Sequence, residues 1–160
     1  MAERAGKIRV YADTSVYGGV LDDEFARASR AFFEGVRRGR FGLVASALVE
    51  DELAGAPGDV RGVFDEMLAW MERGEVSPEV LRLRRAYVEA GIVGARSSAD
   101  ALHVAVATVS GCGLLISWNC RHIVNFRRIP MYNTVNRLTG WDEIAIHTPL
   151  EVVDDEDEDV

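Results

Sequence analysis

The sequence predicts an α/β fold, a three-layer α/β/α sandwich with a central parallel sheet. Three observations predict it. Short apolar runs at 8–11, 41–45, 114–118 and 144–146 have the length of buried strands. The stretches between them carry apolar residues at helical spacing. Strands that alternate with helices are joined by right-handed crossovers, which make the strands parallel and cover both sheet faces.

Taken in order, the run 8–11 is the first strand, and Asp13 sits just past its end. Tyr17-Gly18-Gly19-Val20 breaks the pattern, and Asp23-Glu24 lead into a helix over 25–38. There Phe25, Ala28, Phe32, Phe33 and Val36 share a face, and Gly39 stops the helix. The run 41–45 is a second strand, with Ser46 as N-cap of a helix over 47–54. Residues 55–58 form a loop, and Val63, Phe64, Met67, Leu68 and Met71 predict one amphipathic helix over 60–73. Ser77-Pro78-Glu79 opens the next helix, with proline at its first position, and Gly91 ends it near Ala90. Ser97-Ser98-Ala99-Asp100 opens an Ala/Val-rich helix over 101–109, buried on most sides. Gly111-Cys112-Gly113 closes that helix, and the strand 114–118 follows. Residues 119–141 read as loop and short helix, and 144–146 as a last strand before Thr148-Pro149.

At 160 residues, 48% hydrophobic and 28% charged, the chain suits one domain with a real core. We place it at 8–152, between a flexible N-terminus (1–7) and an acidic disordered tail (153–160). The last ten residues hold 7 of the 26 acids, which leaves 19 acids against 18 bases, so the net charge of −8 belongs to the tail. No apolar run approaches the roughly 20 residues that span a bilayer, and the start has no apolar core of a secretory signal. Cys112 and Cys120 are too few for a disulfide framework or a paired zinc motif. A cytoplasmic location is the expectation, with no membrane contact.

The chemistry-bearing positions fall where strands end or helices begin. Asp13 follows the first strand, Glu50 and Glu52 lie on the helix after the second, Asp100 opens the Ala-rich helix, and Asn119 follows the later strand. In an open parallel sheet these places lie at the carboxyl edge, where ligands bind. Oxygen donors of this kind suit Mg2+ or Mn2+. Each position also has a plainer reading. Asp13 and Asn119 are turn or cap formers, Asp100 stands three residues after Ser97 as in a capping box, and Glu50-Asp51-Glu52 is a solvated helix face. His103 shares the helical face of Asp100 and reads as a packed or supporting histidine. No HExxH spacing points to zinc hydrolysis, no Gly-x-Gly-x-x-Gly follows the first strand, and Asp13-Thr14-Ser15 lacks the second Asp of a haloacid-dehalogenase-type phosphotransferase.

Four motifs stand in order: Asp13 after the first strand, Ser-x5-Glu at 46–52, Ala-Asp-Ala-Leu-His at 99–103 and Ser-Trp-Asn-Cys-Arg-His at 117–122. With Gly140-Trp141 and the segment 146–152, the chain resembles the PIN-domain proteins from about Ile8 to Val152. It is most similar to the toxin ribonucleases of bacterial type II (VapC-like) toxin–antitoxin pairs. The resemblance implies a PIN-like fold and a Mg2+- or Mn2+-dependent endoribonuclease, a hydrolase of RNA phosphodiester bonds. It maps the metal-binding acids onto Asp13, Glu52 and Asp100, with Asn119 completing the catalytic set. Glu52 is preferred to Glu50 because Ser46 precedes it by the family's interval; helical geometry alone allows either. Thr14, Ser15, Glu50, Ser117, His122 and Asn125 are candidate supporting residues.

The resemblance departs at Asn119, where many relatives carry Asp. An amide carbonyl can still serve a hard cation, but the lost charge weakens a second metal position. From Asn119 to Trp141 there is no acid, while Arg121, Arg127, Arg128 and Arg137 are present. This stretch, and Arg121, Arg127 and Arg128 in particular, reads as an RNA-phosphate face, or else as a solvated basic loop or a surface for an acidic partner. The resemblance further implies a homodimer and a small antitoxin protein that sets an Arg or Lys against Asp13 and Asp100. The alternative is a catalytically weak PIN-like module that binds RNA or protein.

Overall fold

The computed structural model describes residues 7–153. The predicted N-terminus and acidic tail thus lie outside the described residues, except for Lys7 and Val153. Val153 packs against the core beside Val152.

Strand β1 (Ile8–Ala12) sits in the middle of the sheet, its last three residues fully buried. A short helix α1 (Thr14–Gly19) follows directly, capped by Asp13. The sequence reads Tyr17-Gly18-Gly19-Val20 as a break, and the helix ends there, at Gly19. A Cβ on Gly19 would lie 2.5 Å from Ser29 Oγ and 2.8 Å from Trp118 Nε1, so this terminal glycine also permits close packing. Helix α2 (Ala26–Arg37) ends before Gly39, whose φ of +81° favours glycine. Strand β2 (Phe41–Ser46) passes straight into α3 (Ala47–Ala54), where the Ser46 hydroxyl accepts the Val49 N–H.

The predicted helix over 60–73 is two elements. Helix α4 (Gly58–Met67) ends in a 3-10 turn, and Met71–Gly74 is an additional strand, β3, paired in parallel with β2. The apolar spacing through Met71 continues the helical period, and β3 is a polar edge strand, Met-Glu-Arg-Gly, with no apolar run to announce it. Helix α5 (Pro78–Glu89) has Ser77 as N-cap and proline at its start, and α6 (Ser98–Val109) is almost wholly buried. Strand β4 (Leu114–Ile116), helix α7 (Arg128–Leu138) and strand β5 (Ala145–His147) complete the order.

The sheet is parallel throughout, in the order β3-β2-β1-β4-β5. The chain first moves outward from β1 through β2 to β3, then returns to β4 on the other side of β1. Right-handed crossovers therefore place the early helices on one face and the later helices on the other. This is the three-layer sandwich the sequence predicts. The direction of winding reverses between β1 and β4, and the crevice at that reversal is where an open α/β sheet binds ligands. Among the described residues no helix is long and apolar enough to cross a membrane.

Candidate functional site

Asp13 and Ser117 leave the sheet at that crevice, one after β1 and one after β4. The Asp13 backbone N–H still donates to Ile116 O, so the ladder holds its Cα in place. Its carboxylate is 4% exposed. Oδ1 accepts from Ser15 N at 3.2 Å and from Ser15 Oγ at 2.6 Å, and Oδ2 accepts from Ser117 Oγ at 2.7 Å. Each hydroxyl also accepts a backbone N–H from the loop after β4: Trp118 N reaches Ser15 Oγ and Asn119 N reaches Ser117 Oγ, both at 2.9 Å. With the oxygens so occupied, the single proton of each hydroxyl goes to Asp13. Burial pushes the Asp13 carboxyl above its ordinary range, and the charge of Glu52 adds to this. His103 and the two serines oppose it and do not cancel it.

The two glutamates of α3 part company. Glu50 turns to Arg73 on β3, 2.6 Å away and largely in solvent. Glu52 points toward the crevice, where its Oε1 accepts from the Thr14 hydroxyl and from His103 Nε2, the latter at 2.8 Å. Burial alone would raise the Glu52 pKa. The hydrogen bond and charge of His103, with the Thr14 hydrogen bond, outweigh it and hold the carboxyl below its usual value. His103 is 3% exposed, and its Nδ1 lies 2.7 Å from the Tyr11 phenol, which lies 2.8 Å from Ser46 Oγ. Tyr11 was legible only as an apolar strand residue; a tyrosine hydroxyl at the core end of a fully buried strand needs a partner, and that need was the available signal.

Asp100 makes a different contact. Ser97 makes no side-chain cap bond, so the capping-box geometry is absent, and Asp100 Oδ2 instead lies 2.9 Å from His122 Nδ1. Asn119 aims that histidine. Its side-chain carbonyl accepts from Arg121 N at 3.2 Å and His122 N at 3.0 Å, which commits the oxygen that could serve a cation. Asn125 repeats the device, accepting from Arg127 N and Arg128 N while its amide donates to Cys120 O. The Tyr132 phenol donates to His122 O and ties α7 to the loop. Arg128 is a tether, its Nε donating to Ile92 O at 2.9 Å. Arg121 and Arg127 are exposed and enter no ion pair among the described residues.

The donors fit a hard divalent cation in chemistry. Asp13 Oδ2 keeps one lone pair, and Glu52 Oε2 and Asp100 Oδ1 have no hydrogen-bond partner among the described residues. Three His, Cys, Asp or Glu side chains do not gather around one point among the described residues. This suits an ion held by one or two carboxylates with water filling the other positions, as Mg2+ prefers.

No protein-family model matches the sequence, and no curated protein matches it. Solved structures do match the fold. The crystal structure of VapBC2 from Rickettsia felis bound to a DNA fragment from their promoter aligns with a TM-score of 0.60 at 15% identity, over 88% of this chain and 98% of that one. The crystal structure of FitAcB from Neisseria gonorrhoeae aligns with a TM-score of 0.54 at 14% identity, again over 88% and 98%. At these identities the likeness is one of fold, and it is the PIN-like α/β/α fold that the motifs imply.

Proposed function

We propose that this chain is a Mg2+- or Mn2+-dependent endoribonuclease, and that a small antitoxin protein holds it inactive. The observation that carries this reading is Asp13, a carboxylate at the crevice between β1 and β4 whose pKa is raised by burial first and by Glu52 in lesser part. An ionised carboxylate in such a place is costly, and a cation offsets that cost. One or two of Asp13, Glu52 and Asp100 would hold the ion directly through the oxygens left free, and the rest through water. The chemistry it supplies when bound is Lewis acidity toward a phosphoryl oxygen and a lowered pKa for a coordinated water. Ser15 and Ser117 fix both oxygens of Asp13, and Thr14 and His103 fix Glu52. Arg121 and Arg127 take RNA phosphates beside the crevice, and the reaction needs no protein nucleophile. The fold likeness and the motif order support the antitoxin partner, an Arg or Lys of which would face Asp13 and Asp100, and a homodimer is part of the same reading.

The test is cleavage of a mixed RNA pool with Mg2+ and then Mn2+, wild type beside Asp13→Ala. Cleavage that requires metal and is lost in the variant supports the reading; cleavage that survives in the variant overturns this site. The committed carbonyl of Asn119 favours one second reading, a catalytically weak module that binds RNA or protein. Calorimetry separates the two, because the module binds no Mn2+ at millimolar concentration.

A further inference from the structure

We infer that His103 is a positioning residue for Glu52, and that the buried series Ser46–Tyr11–His103 exists to present one Glu52 oxygen to the crevice. The inference rests on the proposed metal site and goes past it, to how that site is aimed. Five elements contribute: β1 supplies Tyr11, the end of β2 Ser46, α3 Glu52, α6 His103 and α1 Thr14.

The donor to Glu52 can be assigned. A carboxylate only accepts, so His103 Nε2 carries the proton given to Glu52 Oε1. Nδ1 meets the Tyr11 phenol at 2.7 Å, accepting from it in a neutral ring and donating to it in a charged one, and the donation from Nε2 is the same in both. The Tyr11 oxygen also meets Ser46 Oγ at 2.8 Å, and Ser46 Oγ accepts the N–H of Val49. Every polar atom in the series is thereby used, with none left over for water or substrate. The ring also packs against Tyr11 at 5.7 Å between centroids, which limits its rotation.

The consequence falls on Glu52. With Thr14 and His103 both donating to Oε1, that oxygen has no lone pair left, and Oε2 is the one that faces the ion. A glutamate on an exposed helix face otherwise samples many rotamers, and ordering it on ion binding lowers affinity. A buried histidine reached through three hydrogen bonds is an elaborate way to fill space among Ala and Val residues of α6, where Leu would pack without polar atoms.

The test is Mn2+ calorimetry on wild type, His103→Leu and His103→Gln, with turnover of the RNA pool measured across Mn2+ concentration. Leu keeps the volume and removes the donor; Gln keeps an N–H near the position of Nε2. We expect Leu to weaken Mn2+ binding about 10- to 100-fold, the size of effect seen for groups that hold metal ligands. We expect Gln to recover most of it, and high Mn2+ to restore turnover in the Leu variant. Should His103→Leu fail to fold, Tyr11→Phe leaves the histidine in place without its aim, and a Mn2+ affinity reduced about threefold or more gives the same support. Wild-type affinity in the Leu variant, or in Tyr11→Phe where that variant stands in, overturns the inference and leaves the metal site standing. No Mn2+ binding by wild type overturns the site and the inference together.

Discussion

Two of the histidine–carboxylate pairs are alike in distance and unlike in surroundings. His103 meets Glu52 at 2.8 Å and His122 meets Asp100 at 2.9 Å. The His103 ring is 3% exposed and both its nitrogens are used; the His122 side chain is 21% exposed, and its Nε2 has no partner among the described residues. In the first pair the histidine is part of the core and acts only through its carboxylate partner, which is 35% exposed. The second lies at the mouth, beside the exposed Arg121, and its free nitrogen can meet solvent or substrate. Identical chemistry thus divides into a scaffold and a surface by the burial of the histidine alone.

The largest effect that could break this comparison is on stability. His103→Ala leaves a cavity, an unpaired Tyr11 phenol and a Glu52 without its buried donor. Cavity and unmet hydrogen bonds together predict a loss of about 2–4 kcal/mol. His122→Ala removes a half-open pair that water replaces, and a loss under about 1 kcal/mol is expected. Urea unfolding of the two variants measures both, and equal losses would erase the distinction drawn between the pairs.

Next in size is the effect of Asp13 itself, the buried carboxylate of the crevice. Because folding raises its pKa, the native state holds this proton to higher pH than the unfolded chain. Ionised Asp13 therefore costs stability at neutral pH, and the cost is absent below the ordinary Asp range. Asp13→Asn should melt higher than wild type at pH 7 while losing metal-dependent cleavage, and the difference in melting temperature should close as pH falls through the native Asp13 pKa to below 4. A variant that melts lower at pH 7 would mean that Ser15 and Ser117 stabilise the charge more than burial opposes it.

These contrasts also mark where the sequence was readable. The buried strands β1, β2 and β4 announce themselves as apolar runs, and Gly39, Ser46, Ser77 and Gly91 mark helix ends by local chemistry that needs no tertiary context. Edge strand β3 did not, because one open edge lets it be polar and the helical period of α4 runs on into it. Gly19 was legible as a break, and the helix does end there, but the approach of Ser29 and Trp118 was not, since neither is near it in sequence. At the site, carboxylates at strand ends were legible by position. Their partners were not, since the Tyr11–His103–Glu52 and Asp100–His122 contacts join residues 22 to 92 positions apart. Helical geometry left Glu50 and Glu52 equal, and only the placement of β3, with Arg73 upon it, draws Glu50 away.

A smaller effect sharpens the reading of the exposed side. If Arg127 meets phosphate at the mouth, Arg127→Ala should weaken binding of single-stranded RNA by a few-fold across sequences. It should also reduce the slope of log affinity against log salt by about 0.7. Fluorescence anisotropy of a labelled oligonucleotide in EDTA reads both without turnover. An unchanged slope would assign the basic loop to solvent or to a protein partner. Arg128→Ala is the matched control: its Nε holds Ile92 O, so stability should fall while the salt slope stays.

The smallest effect concerns Asn119. Its carbonyl already accepts the backbone N–H groups of Arg121 and His122, a task that a carboxylate oxygen performs at least as well. Asn119→Asp should therefore keep the loop and the urea midpoint. What changes is the other side-chain atom: the amide nitrogen, which has no hydrogen-bond partner among the described residues, becomes a second carboxylate oxygen. A cation gains an acceptor and a charge, so Mn2+ should bind about twofold more tightly, measured by calorimetry against wild type. The gain stays modest because the loop already fixes this side chain by hydrogen bonds that an ion does not replace. A larger gain would make the fourth acidic position a ligand in its own right, and tighter binding with a lowered urea midpoint would show that the loop had rearranged to supply it.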